Sequence, residues 1–190
     1  MRALAVALAV VASAAVCIVA ARSSGGTRLP AFDGTVHARQ VPDLALIDDR
    51  GAPLRLNASP RGSFVVLGYT RCADECPLTL ARVAVARRSV EPRARPDAFL
   101  VTVDPAHDDP ATMHRYLAAW HGAIVGVTGA PSALKRLSVA LGAGDAQRQP
   151  REHDTRVFLV AQGGDVRAEL SPDVTPAAIA DAARSLAATN

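Results

Sequence analysis

Three short runs unbroken by any charge punctuate the chain: residues 64–69 (Phe-Val-Val-Leu-Gly-Tyr), 98–103 (Ala-Phe-Leu-Val-Thr-Val) and 157–160 (Val-Phe-Leu-Val). Runs this short, rich in β-branched and aromatic side chains and without alternation, read as strands covered on both faces. Residues 44–47 and 54–56 flank Asp48-Asp49-Arg50-Gly51 and read as a hairpin, and Gly163-Gly164-Asp165 makes a turn between 157–160 and 166–170. Elsewhere the spacing of apolar residues changes to a helical period. Pro77, Pro110, Pro131 and Pro176 each open such a segment at the first helical position, where a missing N–H costs nothing. Met113, Tyr116, Leu117 and Trp120 form one stripe behind Asp109 as a cap, and Leu134, Leu137 and Leu141 form another that stops at Gly142. Ile179, Ala183 and Leu186 form the last, capped by Thr175.

The resulting order is ββ, then βαβα, a short strand, α, and ββα. A central βαβ unit requires a right-handed crossover between parallel strands, and the closing ββα adds an antiparallel hairpin and a final helix. That order fits an α/β fold with a thioredoxin-like mixed sheet flanked by helices. The segment 70–76 then falls at the edge where a strand leads into a helix N-terminus.

The amino-terminal pattern differs. Residues 3–21 carry no charge, follow Met1 and Arg2, and are 19 long, which approaches the roughly 20 residues of a membrane span. Residues 1–21 therefore read as a membrane anchor or a cleaved signal peptide, with small residues at 19–21 that suit cleavage. Cys17 follows Val16, which does not suit a lipoprotein signal. Residues 22–36, with four Ser or Gly at 23–26, read as a flexible linker, and residues 37–190 as the folded domain. Arg2 on the leading side keeps that end in the cytoplasm, so the domain is expected at the periplasmic face of the inner membrane, tethered or released.

With 190 residues, 49% hydrophobic and 21% charged, there is room for one globular core. The net charge of +3 comes from 20 scattered arginines and Lys135, which make no phosphate-tracking stripe, so nucleic acid is not an expected partner. Three cysteines are too few for a disulfide scaffold, but Cys72 and Cys76 lie four apart beside Asp74 and Glu75. A helix N-terminus favours thiolates, so both thiols are expected to ionise more readily than free cysteine. Such a pair serves either as a redox couple or as part of a metal shell. His153 precedes 157–160 and would face the pair, although from spacing alone it reads as a solvated loop histidine. Two thiolates and one imidazole form a soft, low-coordinate set suited to Cu(I); structural zinc would want a fourth protein ligand.

The string from Gly68 to Leu80, Gly-Tyr-Thr-Arg-Cys-Ala-Asp-Glu-Cys-Pro-Leu-Thr-Leu, resembles the signature of the Sco/SenC family of copper-binding assembly proteins. Val103-Asp104-Pro105 followed by Asp108-Asp109-Pro110 resembles its second block, and His153 before a strand its third; the similarity runs over roughly residues 41–187. The resemblance implies a thioredoxin-like fold, copper as Cu(I) and/or Cu(II), and Cys72, Cys76 and His153 as its ligands. It also implies a metallochaperone rather than an enzyme, delivering copper to the dinuclear centre of cytochrome c oxidase subunit II after loading from a periplasmic copper donor. Two positions depart from the family pattern: Ala73 stands where Pro is frequent, and Asp154 where Ser is frequent.

Other readings compete. A thiol-disulfide oxidoreductase acting on the cysteines of that subunit would use Cys72 and Cys76 alone, and a redox sensor is a further alternative. A peroxiredoxin needs Thr or Ser three before its cysteine, whereas Tyr69 and Ala73 occupy those positions; a thioredoxin-type reductase uses C-x2-C, whereas the spacing here is C-x3-C. His107, His114 and His121 recur every seven residues, a spacing that does not bring helix side chains together, and read as surface histidines. Asp104, at the end of an apolar strand on the reactive edge, serves either function or turn stabilisation.

Overall fold

The computed structural model describes residues 39–148 and 150–188. The expected membrane segment, Cys17 and the linker lie outside them. Among the described residues no helix is long and apolar enough to cross a membrane.

Seven strands form one mixed sheet in the order β2-β1-β5-β4-β3-β6-β7. They are β1 (Leu46–Asp48), β2 (Pro53–Leu54), β3 (Ser63–Gly68), β4 (Asp97–Thr102), β5 (Val125–Thr128), β6 (Val157–Val160) and β7 (Val166–Leu170). β3, β4 and β5 run parallel; β1 closes antiparallel on β5, and β6 antiparallel on β3. The helices are α1 (Glu75–Arg88), α2 (Pro110–Leu117), α3 (Pro131–Ala140) and α4 (Pro176–Ala187). This is the α/β, thioredoxin-like arrangement expected from the element order.

Side chains alternate along the central strands between two cores. Phe64 and Val66 of β3, Leu100 of β4 and Leu159 of β6 pack with Leu80 and Val83 of α1, Met113 of α2 and Ile179 of α4. Val65, Leu67, Val101 and Phe158 point the other way, onto Leu134, Leu137 and Leu141 at α3. Each such fully buried Leu, Val or Phe contributes about 1.5–3 kcal/mol of transfer free energy, and this fixes the register of β3 and β4.

Three proline-led helices begin where expected, with Pro110, Pro131 and Pro176 at their first positions. The Asp109 carboxylate accepts from the Thr112 N–H at 2.7 Å, and the Thr175 hydroxyl oxygen from the Ala178 N–H at 3.3 Å. Gly142 has φ +80°, the left-handed conformation that closes α3. The fourth differs: α1 starts at Glu75, so Pro77 is its third residue and Cys76 lies inside the first turn. The first-turn N–H groups have no partner within the helix, so a proline fits at any of these positions and locates a helix start only to within a turn. The expected hairpin is shorter than its apolar residues suggest: Leu44 and Leu56 sit in the core beside it.

Candidate metal centre

The site forms where β3 ends, α1 begins and β6 is entered. Antiparallel pairing sets Val157, the first residue of β6, opposite Val66 near the end of β3. The loop before β6 therefore meets the loop after β3, and His153 comes to the cysteines for that reason. The Cys72 N–H donates to the Tyr69 carbonyl at 3.1 Å, closing a tight turn. Two residues after Asp74, Cys76 turns its thiol back over Gly68, which has no Cβ to obstruct it.

One ligand atom each from Cys72, Cys76 and His153 lies within 4.8 Å of the other two, and among the described residues no other group of His, Cys, Asp or Glu could hold a metal. Both cysteines are free thiols. The His153 ring is oriented from behind: Nδ1–H donates to the Pro150 carbonyl at 2.6 Å, so Nε2 carries the lone pair. Nε2 lies 3.3 Å from the Cys76 Sγ, and the Tyr69 ring stands edge-on to the imidazole at 5.4 Å between centroids. Thr155 Oγ1 donates to the Glu75 carboxylate at 3.0 Å, tying the histidine loop to the first turn of α1.

Burial lowers the His153 pKa, over the opposing hydrogen bond to Pro150, and so keeps the imidazole in its neutral, ligating form. Cys76 departs from expectation. It is 1% exposed rather than in an open loop. Burial, reinforced by contact with the Cys72 thiol, pushes its pKa up, so the helix N-terminus does not make it the easily ionised thiol that the loop reading implied. Cys72 is half-buried and is the more exposed of the two thiols.

Polar side chains at the end of β4 hold the cysteine loop, and of these the sequence pointed only to Asp104. Asp108 is fully buried and accepts from the Thr70 N–H at 3.1 Å, Thr70 Oγ1 at 2.6 Å and Thr102 Oγ1 at 2.7 Å. It thereby links the loop to the end of β4. Asp104 accepts from Arg71 at 2.5 Å and contacts His107 Nδ1 at 2.8 Å. Burial works against its charge, but the hydrogen bonds to His107 and Arg71 hold its carboxyl below the ordinary value. Arg71, Asp104, His107 and Tyr69 line a cleft of about 640 Å³ that reaches Pro150 and Arg151 on the histidine loop. Of the three heptad-spaced histidines, His107 meets Asp104 and His114 meets Asp49 at 3.0 Å, both from exposed positions.

Comparison with known proteins identifies the family. The family model described as SCO1/SenC matches residues 33–188. A Stutzerimonas stutzeri protein described as copper-binding is 30% identical over 141 residues, covering 70% of this chain and 69% of that protein. The mouse mitochondrial SCO2 homolog is 38% identical over 103 residues, 50% of this chain and only 39% of the mouse protein. The solution structure of apo Sco1 from Thermus thermophilus superposes with a TM-score of 0.64 at 31% identity, covering 80% of this chain and 94% of that one. Copper-bound yeast Sco1 superposes at 0.68 with 20% identity, over 80% and 90% of the two chains, a likeness of fold. With a family match spanning most of its length, this chain belongs to the SCO1/SenC family.

Proposed function

We propose that the domain binds one copper ion through Cys72, Cys76 and His153 and delivers it to the dinuclear copper centre of cytochrome c oxidase subunit II. The observation that carries this is the convergence of two sulfurs and one imidazole lone pair within 4.8 Å, where β3 ends and β6 begins. Two thiolates and a neutral imidazole are soft to borderline donors that suit Cu(I), and with sulfur bound Cu(II) would show a thiolate charge-transfer band. Copper here is cargo: three ligands from one chain leave the ion accessible for transfer, with Cys72 on the accessible side. Solved relatives support the cargo, since Bradyrhizobium japonicum ScoI and yeast Sco1 were each captured with copper bound. BsSco is described as a member of the Sco family of cytochrome c oxidase assembly proteins, which supports a role in oxidase assembly. Delivery would take place on the exported side of the membrane, with residues 1–21 as anchor or leader and a periplasmic donor upstream.

A second reading follows from the contact between the two thiols: the pair closes to a disulfide while reducing a disulfide of the recipient. One residue separates the two readings. In cells lacking the gene, at limiting copper, His153→Ala should abolish oxidase activity as fully as Cys72→Ala. Full activity in His153→Ala beside none in Cys72→Ala would favour thiol reduction.

A further inference from the structure

His153 lies on a segment without regular structure, between the turn at Pro150–Glu152 and the start of β6. No strand ladder fixes it, so side chains must. The next residue is Asp154. Its carboxylate accepts from the Arg156 backbone N–H at 2.9 Å and from the Arg156 guanidinium Nε at 2.8 Å. The same guanidinium pairs through Nη1 with Glu169 on β7, whose other oxygen pairs with Arg39. Arg156 also lies over the Phe158 ring, 5.2 Å from its centroid.

An ion pair between exposed side chains contributes little. This network differs in three respects. The Asp154 and Glu169 side chains are only 16% and 18% exposed, the arginine binds Asp154 through two nitrogens, and a backbone donor joins in. Charge-assisted bonds of that kind fix geometry as well as energy. Thr155 fastens the same segment on its other side, to Glu75. His153 is thus held between α1 and β7.

We infer that Asp154, Arg156 and Glu169 are positioning residues for His153, anchoring its loop to β7 so that Nε2 stays aimed at the cysteines and the bound ion is retained. The inference rests on the copper reading for its consequence, but its geometric part concerns the metal-free protein too.

The test uses the whole chain with Asp154→Ala, Arg156→Met, the double variant, Asp154→Asn and Glu169→Gln. In the metal-free protein, the nuclear Overhauser contact between the Tyr69 and His153 rings and the His153 Nδ1–H signal report ring position. In the loaded protein, transfer of Cu(I) to a competing chelator reports retention. Both single truncations should weaken the ring contact and speed release about tenfold, the lower end for partners behind a metal ligand. The double variant should be no worse than the poorer single, because the two residues act as a unit. Asp154→Asn, which keeps an acceptor for Arg156, should recover part of the loss, and Glu169→Gln should show a smaller change in the same direction. Should Asp154→Ala not fold, the last two variants carry the same test. Wild-type ring contact and release rate in both truncations, or additive effects in the double, would overturn the positioning role. Absence of His153-dependent copper binding in the wild type would remove the copper reading instead, leaving the ring contact to decide the positioning.

Discussion

Gly68→Ala places one methyl group where β3 meets the first turn of α1. An ideal Cβ there would lie 2.9 Å from the Cys76 Sγ and 2.9 Å from the Leu100 Cδ1. Comfortable separation is about 3.5–4.0 Å, so a neighbour must retreat by roughly 0.6–1 Å. Both are fully buried, but Leu100 is packed within the core cluster whereas the Cys76 sulfur adjoins Cys72 and His153 on irregular segments, so the sulfur should yield first. A displacement of that size exceeds the roughly 0.5 Å tolerance of a preorganised site. Overpacking costs about 1–3 kcal/mol, offset by about 0.4–1 kcal/mol from the stiffer unfolded chain, which leaves a net loss near 1–2 kcal/mol. Thermal unfolding of the metal-free variant should fall by about 2–8 °C, while copper affinity in chelator competition falls at least tenfold. Copper affinity equal to wild type alongside the stability loss would refute the reasoning, because it would mean that Leu100 moves and that contact with β3 does not set the sulfur.

Three further perturbations probe the surroundings. Asp108→Ala leaves two hydroxyls and one backbone N–H without their acceptor, and should cost about 3 kcal/mol in urea unfolding, with the Cys72 loop more open to alkylation. For Asp104 the folded pKa is depressed, so its contribution is present above the unfolded value near 4 and lost as pH falls through the folded value. Asp104→Asn should therefore show a shallower loss of stability than wild type on acidification below about pH 4, measured by denaturant midpoints. Mild oxidation of the metal-free protein should lower the thiol count by two through a Cys72–Cys76 disulfide, and prior loading with copper should prevent it; an unchanged count in the metal-free protein would exclude the redox pair.

The strands and most helix starts were legible in the sequence because their signals are local. The runs at 64–69, 98–103 and 157–160 are apolar on both faces, and Asp109 and Thr175 sit directly before prolines. Bringing His153 to the cysteines required only the strand order, since antiparallel β6 starts where β3 ends. What stayed hidden depends on contacts between distant residues. Asp108 is 38 positions from Thr70, and Asp49 is 65 from His114. No period or cap signal encodes such pairs. Pro77 misled because a helix tolerates proline throughout its first turn, so Cys76 looked like a loop residue although it lies in α1 and is buried. Gly68 did carry a readable signal: a glycine closing an apolar strand marks close approach by something else, here the Cys76 thiol.

The most direct measurement is Cu(I) affinity and stoichiometry in chelator competition for the wild type and for Cys72→Ala, Cys76→Ala and His153→Ala. One equivalent should bind to the wild type. Both cysteine variants should lose binding nearly completely, and His153→Ala should lose at least tenfold, since an ion left with two thiolates has an open position. Wild-type affinity in any one of the three variants, with its fold intact by circular dichroism, would contradict the three-ligand copper site.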